Sequence, residues 1–164
     1  MVYRTRTAVP ADSSAIARIY NQGIEERLAT FETRPREPTD VEGWLTAGRP
    51  VVVVEDERGE VVAWASAGPY RGEREVYAGI GDFSVYVARE RRREGAGRTA
   101  LRALIEETRA RGFWKLVGRI FPENEPSLEL ARSAGFREVG VYRRHARLDG
   151  AWRDCVIVEL LLDD

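Results

Sequence analysis

The residues whose types and spacing best suit chemistry lie mid-chain, in FSVYVARERRREGAGRTALRALIEE, where Arg92, Arg93, Gly95, Gly97 and Arg98 crowd into one short turn. Arginines beside glycines suit a phosphate, because a guanidinium supplies charge in a planar fork and glycine lets the backbone approach the anion closely. Two familiar phosphate patterns are excluded. A P-loop ends in Gly-Lys-Ser/Thr and a dinucleotide turn spaces three glycines as GxGxxG, and RREGAG does neither. The meaning of the turn therefore depends on what flanks it and on what else in the chain faces it.

The flanks read as a strand and a helix. FSVYV has the composition of a strand, and from Gly95 to Arg111 the residues Ala96, Leu101, Leu104, Ile105 and Thr108 mark one face of an amphipathic helix that Gly112 is placed to stop. Upstream, VYRTRTAV alternates like a strand. Asp12 is placed to cap a helix with Ile16, Ile19, Tyr20 and Ile24 at helical spacing, and Thr39 with Glu42 reads as the capping box of a second short helix. VVVVED and VVAWASAG, joined by ERGE, read as an antiparallel hairpin, and the loop PYRGERE leads into FSVYV. Downstream, KLVGRIF is a strand and residues 127–134 a short helix closed by Gly135. REVGVYRRHARL and AWRDCVIVELLL are two strands that meet at Asp149-Gly150. This order predicts an α/β domain, with a mixed, mostly antiparallel sheet of about seven strands and helices on both faces.

Composition narrows the function classes. A chain of 164 residues, 43% of them apolar, can bury one full core and is short for two, so residues 1–164 are expected to form a single domain. Charged residues make up 32% of the chain, yet the formal net charge is -1, so no basic field exists to draw nucleic acid. Cys155 is the sole cysteine and cannot form an intrachain disulfide, and MVYRTRTAV lacks the apolar core of a signal peptide or membrane span. A cytoplasmic protein without membrane, nucleic-acid or metal partners is expected.

In this order, SVYV, RREGAG opening a helix, and NEPS before a short helix resemble the GNAT superfamily of N-acetyltransferases over nearly the whole chain. ATFETRP, AGPY, FWKLVGRIFPEN and GAWRDC further resemble its phosphinothricin and arsinothricin acetyltransferase branch. The resemblance implies a GNAT fold and acetyl-CoA as cofactor, with the anion at the turn being the coenzyme A pyrophosphate. Amides at a helix start lack intrahelical partners and carry the positive end of the dipole. Gly95, Ala96 and Gly97 would supply them, with Arg92, Arg93 and Arg98 adding charge; the plainer reading is a solvated charged turn. The backbone of Val85 and Val87 would pair with the pantetheine arm where the sheet opens. Asn124 and Ser127 would contact the cofactor, although Ser127 also reads as a helix cap.

For the chemistry, the resemblance places Asp82 where relatives carry a Glu three residues before VYV, as a base acting through water; a solvated or capping carboxylate is the alternative. His145, the sole histidine, is a candidate proton relay or a structural residue. Ala131 stands where relatives carry His or Tyr near the sulfur, so no acid is evident there. Arg71 and Arg74 would hold the acidic groups of the acceptor, with Tyr77 and Phe31 walling its pocket, unless PYRGERE is simply an exposed, salt-bridged loop containing Glu73 and Glu75. Cys155 reads as a core residue, since transfer in this superfamily is direct. The implied function is acetylation of the amino group of a small amino-acid-like compound of the phosphinothricin, arsinothricin or methionine sulfoximine type, in a homodimer. Acetylation of another small amine, or a sensor that holds acetyl-CoA without turnover, are the alternatives.

Overall fold

A computed structural model describes residues 2–72 and 74–162, so Glu73 lies outside the described residues. Seven strands form one sheet: β1 (Arg4–Thr7), β2 (Val51–Glu55), β3 (Val61–Pro69), β4 (Ile80–Val87), β5 (Lys115–Ile120), β6 (Arg137–Leu148) and β7 (Ala151–Leu161). Their spatial order is β1-β2-β3-β4-β5-β7-β6. Only β4 and β5 run parallel. Parallel neighbours need a crossover, and the helix α3 (Ala96–Ala110) after the arginine turn provides it. The α/β architecture read from the sequence is the one the chain adopts.

Burial divides the molecule into two main layers of side chains. Helices α1 (Ser13–Glu26) and α2 (Pro38–Thr46) bring Ile16, Ile19 and Val41 onto Val51, Val53 and Trp64 on one face of the sheet. On the other face, α3 and α4 (Glu125–Ser133) set Leu101, Leu104, Leu128 and Ala131 against Val52, Val54, Ala65 and Leu116. The even-numbered valines of β2 thus face one layer and the odd-numbered valines the other, which is why VVVV lacks the alternation of a half-exposed strand.

Three caps differ from those expected. Asp12 accepts from the Val9 amide at 2.8 Å and pairs with Arg6, so it closes the short 3-10 turn of residues 10–12 instead of capping α1 with its side chain. The cap of α2 is made by Glu37 and Asp40, the Glu37 amide donating to Asp40 Oδ2 at 2.8 Å, and Thr39 and Glu42 lie inside the helix. Pro38 explains the shift, because proline is favoured in the first turn of a helix, where its missing donor is not needed. At α4 the cap is Asn124, whose side-chain oxygen accepts from the Ser127 amide at 3.4 Å. The closing turn is as expected, with Asp149 and Gly150 both at positive φ, 50° and 81°, matching a two-residue type I′ hairpin.

The feature that shapes the site is a break in the ladder. β4 and β5 pair only at Ile80–Lys115, Gly81–Leu116 and Asp82–Val117, after which β4 continues to Val87 and β5 to Ile120 without each other. Where pairing stops, the Phe83 ring lies against Gly118: a Cβ added there would sit 2.3 Å from Phe83 Cε1. Gly118→Ala must displace that ring, and overpacking of this kind costs about 1–3 kcal/mol. Urea denaturation should show that loss, whereas Gly140→Ala, with nothing within 4 Å of its added Cβ, should change stability by less than about 0.5 kcal/mol.

Candidate active site

The parted strands leave backbone groups of β4 facing the gap. Ala88 N–H donates to Val62 C=O at 2.8 Å, and the β3–β4 register runs without interruption from Ala63–Val87 to Pro69–Gly81. In an antiparallel ladder bonded and non-bonded pairs alternate, so residues 84, 86 and 88 bond to β3 while Phe83, Val85 and Val87 turn their amides and carbonyls away from it. With β5 already gone, Phe83 and Val85 border a cleft of about 60 Å³ whose wall also includes Ser84, Tyr86, Asn124, Ser127 and Ala131, while Val87 lies outside that lining and its carbonyl accepts from Arg92 Nε at 3.3 Å. A chain bearing amides, as pantetheine does, can complete such an open edge.

At one end of this cleft the arginine turn presents free donors. The first α3 bond runs from Thr99 N to Gly95 O at 3.1 Å, leaving the amides of Ala96, Gly97 and Arg98 without helical acceptors. Arg93 (φ 65°) and Gly95 (φ 87°) both take the left-handed conformation, and residues alternating in this way curve amides into an anion-binding nest. Gly97 serves packing as well: an added Cβ would lie 3.3 Å from Val87 Cγ2 and 3.6 Å from Leu130 Cδ2. The arginines divide. Arg92 is committed to Glu26, donating through both terminal nitrogens at 2.9 and 2.8 Å, and Arg91 to Asp56 and Glu94. Arg93 and Arg98 are exposed and make no ion pair with a described residue, so their charge is available to a phosphate.

The same gap opens on the α1 side of the sheet into a cavity of about 350 Å³. The two spaces share Ala29, Phe83, Ser84, Tyr86 and Arg119, so a group reaching through the gap emerges there. Asp82 lines the larger cavity, and its Oδ2 accepts from Arg119 Nη2 at 2.8 Å. Burial pushes the Asp82 carboxyl up from the usual carboxylate range, with Arg119 and Arg49 pulling against it. Phe31 is also in the wall, edge-on to Phe121 at 4.9 Å. Cys155 borders the cavity but is fully buried beside Phe121, Leu148 and Ile157, and burial pushes its thiol up, which does not suit a nucleophile.

Other candidates lie further out. His145 is exposed on β6 in the irregular stretch between Tyr142 and Ala146, its ring 6.4 Å from that of Phe31 and 5.0 Å from that of Tyr142. Arg71 and Arg74 are exposed on the loop after β3, each 5.5 Å from a tyrosine ring, Tyr70 and Tyr77, which meet edge-on at 5.4 Å. None of Arg71, Arg74 and Tyr77 lines the cavity. Conversely, Arg49, Ser66 and Arg119 line it and were not singled out in the sequence. Arg119 carried a weak signal, as the charged residue of an apolar strand, KLVGRIF; Arg49, before Pro50, carried none.

A cleft shaped for an amide-bearing arm ending in phosphates, opening beside a partly buried carboxylate, defines an enzyme that uses coenzyme A thioesters. Residues 18–136 match the acetyltransferase (GNAT) family, and the chain belongs to it. It is 34% identical to an L-methionine sulfoximine/L-methionine sulfone acetyltransferase of Pseudomonas paraeruginosa over 96% of this chain and 94% of that protein. Among solved structures, a phosphinothricin acetyltransferase from Sinorhizobium meliloti in complex with acetyl-CoA is similar with a TM-score of 0.90 and 29% identity, covering 98% of this chain and 89% of that one. A ribosomal-protein-alanine N-acetyltransferase from Brucella melitensis is similar with a TM-score of 0.89 and 36% identity, covering 96% and 99%. The protein is an acetyl-CoA-dependent N-acetyltransferase.

Arg93→Ala with Arg98→Ala should weaken acetyl-CoA binding measured by calorimetry, each lost charge-assisted contact costing about 1.5–3 kcal/mol, with little change in melting temperature. Arg92→Ala should instead lower the melting temperature, since it leaves Glu26 without its bidentate partner.

Proposed function

We propose that the chain transfers acetyl directly from acetyl-CoA to the amine of a small amino-acid-like acceptor of the phosphinothricin or methionine sulfoximine type. The observation that carries this reading is the junction at Ser84, Tyr86 and Arg119, where the cleft along β4 meets a separate cavity containing Asp82. Acetyl-CoA supplies the activated acyl group. The amides of Ala96 and Gly97, with Gly95 and the side chains of Arg93 and Arg98, suit its pyrophosphate, while Arg92 shapes the loop from its pairing with Glu26. Val85, Asn124 and Ser127 line the cleft that would take the arm, and the Val87 amide, turned away from β3, lies further along the same strand.

The amine must be neutral when it attacks, and of the two carboxylates that line the cavity, Glu32 and Asp82, it is Asp82, on the strand that borders both spaces, that takes its proton, directly or through water. Burial makes Asp82 a stronger base than a solvated carboxylate, and Arg119 keeps it oriented. An ammonium brought beside Arg119 is also disfavoured relative to the free amine, which helps deprotonation. Ala131 is buried in the cleft wall and offers no acid, so the thiolate leaves without one from that helix. Transfer by direct attack fits the buried, high-pKa thiol of Cys155. His145, exposed with its ring 6.4 Å from that of Phe31, is outside the lining of the cavity and takes no part in this reading.

Thiol release with a panel of amines tests the reading: turnover must depend on both acetyl-CoA and an amino-acid-type amine. Asp82→Asn should lower kcat about 10²–10⁴-fold with acetyl-CoA affinity retained, and Asp82→Glu should keep activity. Because the base works deprotonated and its pKa is raised, activity should fall with decreasing pH in a limb above the ordinary Asp range of about 3.9, and that limb should vanish in Asp82→Asn. A loss below about threefold in the Asn variant, with chemistry rate-limiting, would make Asp82 structural.

We also propose a homodimer. β6 is the terminal strand of the sheet and is exposed along nearly its whole length, with Val139, Val141, Tyr142 and the neighbouring Trp152 each about half exposed. Long edge strands with apolar side chains invite pairing with a second copy. The free thiol of Cys155 is compatible with a reducing cytoplasm, and no helix among the described residues is long and apolar enough to cross a membrane. Light scattering should give a dimer mass at micromolar concentration and a monomer mass for Val141→Asp with Tyr142→Asp; a monomeric wild type would refute the assembly.

A further inference from the structure

The acceptor cavity contains a cation with no anion. Arg49 lies just before β2, half-buried, its guanidinium 4.8 Å from the centre of the Trp44 ring and its edge turned to the cavity that it lines. The two carboxylates that line the same cavity are already engaged, Asp82 by Arg119 at 2.8 Å and Glu32 by Arg36 at 2.7 Å. The Arg49 amide donates to Trp44 C=O at 3.1 Å, but its guanidinium has neither a hydrogen bond nor an ion pair with any described residue. Burial pulls on its charge, with only Asp82 and Tyr20 opposing at a distance. Removing a guanidinium from water without supplying an anion is costly, and stacking on Trp44 offsets part of that while leaving the donor edge open.

Its location is specific. A Cβ added to Gly68 would lie 3.4 Å from Arg49 Cζ and 3.6 Å from both terminal nitrogens, so the guanidinium sits in contact range of the Gly68 backbone position. Gly68 is directly opposite Asp82 in the β3–β4 register. Residues opposite one another in an antiparallel pair project to the same face about 4.5–5.5 Å apart. The free fork of Arg49 and the carboxylate of Asp82 are therefore neighbouring subsites on one wall.

We propose that Arg49 is the acid subsite of the acceptor cavity, receiving the α-carboxylate of an amino acid whose amine faces Asp82. This rests on the N-acetyltransferase reading and sharpens it. An α-amino acid carries amine and carboxylate on one carbon, so adjacent cationic and anionic subsites fit it, and a planar fork matches a carboxylate bidentately. The arrangement selects free amino acids over decarboxylated amines and over peptide N-termini, whose α-carboxyl is tied up in an amide.

The test compares kcat/KM for methionine sulfoximine, its decarboxylated amine and an alanine-initiated tripeptide amide, in the wild type, Arg49→Met and Arg49→Lys. The wild type should favour the free amino acid. In Arg49→Met that preference over the decarboxylated amine should fall about 10- to 150-fold, the range for one charge-assisted bond, largely as a rise in the amino-acid KM. Arg49→Lys should recover part of it. Melting temperature and acetyl-CoA KM report on the fold and the cofactor cleft separately. If the wild type acetylates the decarboxylated amine or the tripeptide amide as well as the amino acid, or if Arg49→Met keeps the wild-type preference, the acid subsite is wrong while the acetyltransferase reading stands. If no amine supports thiol release, the acceptor reading fails and the subsite falls with it.

Discussion

The parting of β4 from β5 after three paired residues is the constraint on which the site depends. A continuous sheet would satisfy its own backbone groups and present only side chains. Here one strand keeps its antiparallel partner β3 and loses its parallel one, so alternate amides and carbonyls of β4 are left for a ligand. The crossover that makes the pair parallel also places the start of α3 at the end of the opening, bringing the free amides of a helix N-terminus to the same cleft. Strand edge and helix start are thus two consequences of one β-turn-α unit.

Electrostatics then separates the two ends of the path. At the turn, fixed amides and the unpaired Arg93 and Arg98 favour anions, while Arg91 and Arg92 are neutralised by Asp56, Glu94 and Glu26 and hold the loop in shape. At the other end, Asp82 is partly buried, raised in pKa and held by Arg119. A cavity that kept only solvated carboxylates would offer an amine a weak base. Partial burial raises the basicity of Asp82, while the arginine contact opposes that rise and holds the carboxylate in place. The aromatic cluster of Tyr20, Trp44, Trp64 and Tyr86 beside it, with rings 4.9–5.9 Å apart, stiffens the floor on which these charges are set.

The two arginine groups differ in how they meet the acceptor space. Arg71 and Arg74 stand on an exposed loop and lean on Tyr70 and Tyr77, so either the loop must fold over the cavity or a second copy must receive them before they touch an acceptor. Arg49 is already in the wall, anchored by Trp44 and by the stiff Pro50 that follows it. A preorganised contact loses less entropy on binding than one made by a mobile loop.

Local pattern was enough for much of this protein. Strand-like runs, turn residues and helical spacing located the seven strands and four α-helices, though not the short 3-10 turns, the glycine pair marked the start of α3, and Asp149-Gly150 marked the last hairpin, because these depend on neighbours within a few residues. The caps were displaced where Pro38 and Asn124 competed with the expected residues, a local contest that composition does not decide. Which of four consecutive arginine-rich positions keeps its charge free was not legible, since Glu26 and Asp56 come from 66 and 35 residues away. The same holds for the cavity. Arg49, Ser66, Gly68, Asp82 and Arg119 are spread over four segments, and only strand register and the break between β4 and β5 bring them to one wall. Sequence spacing carries the period of an element; the partner of a charge is set by which elements the sheet makes neighbours, and that is decided only in the folded chain.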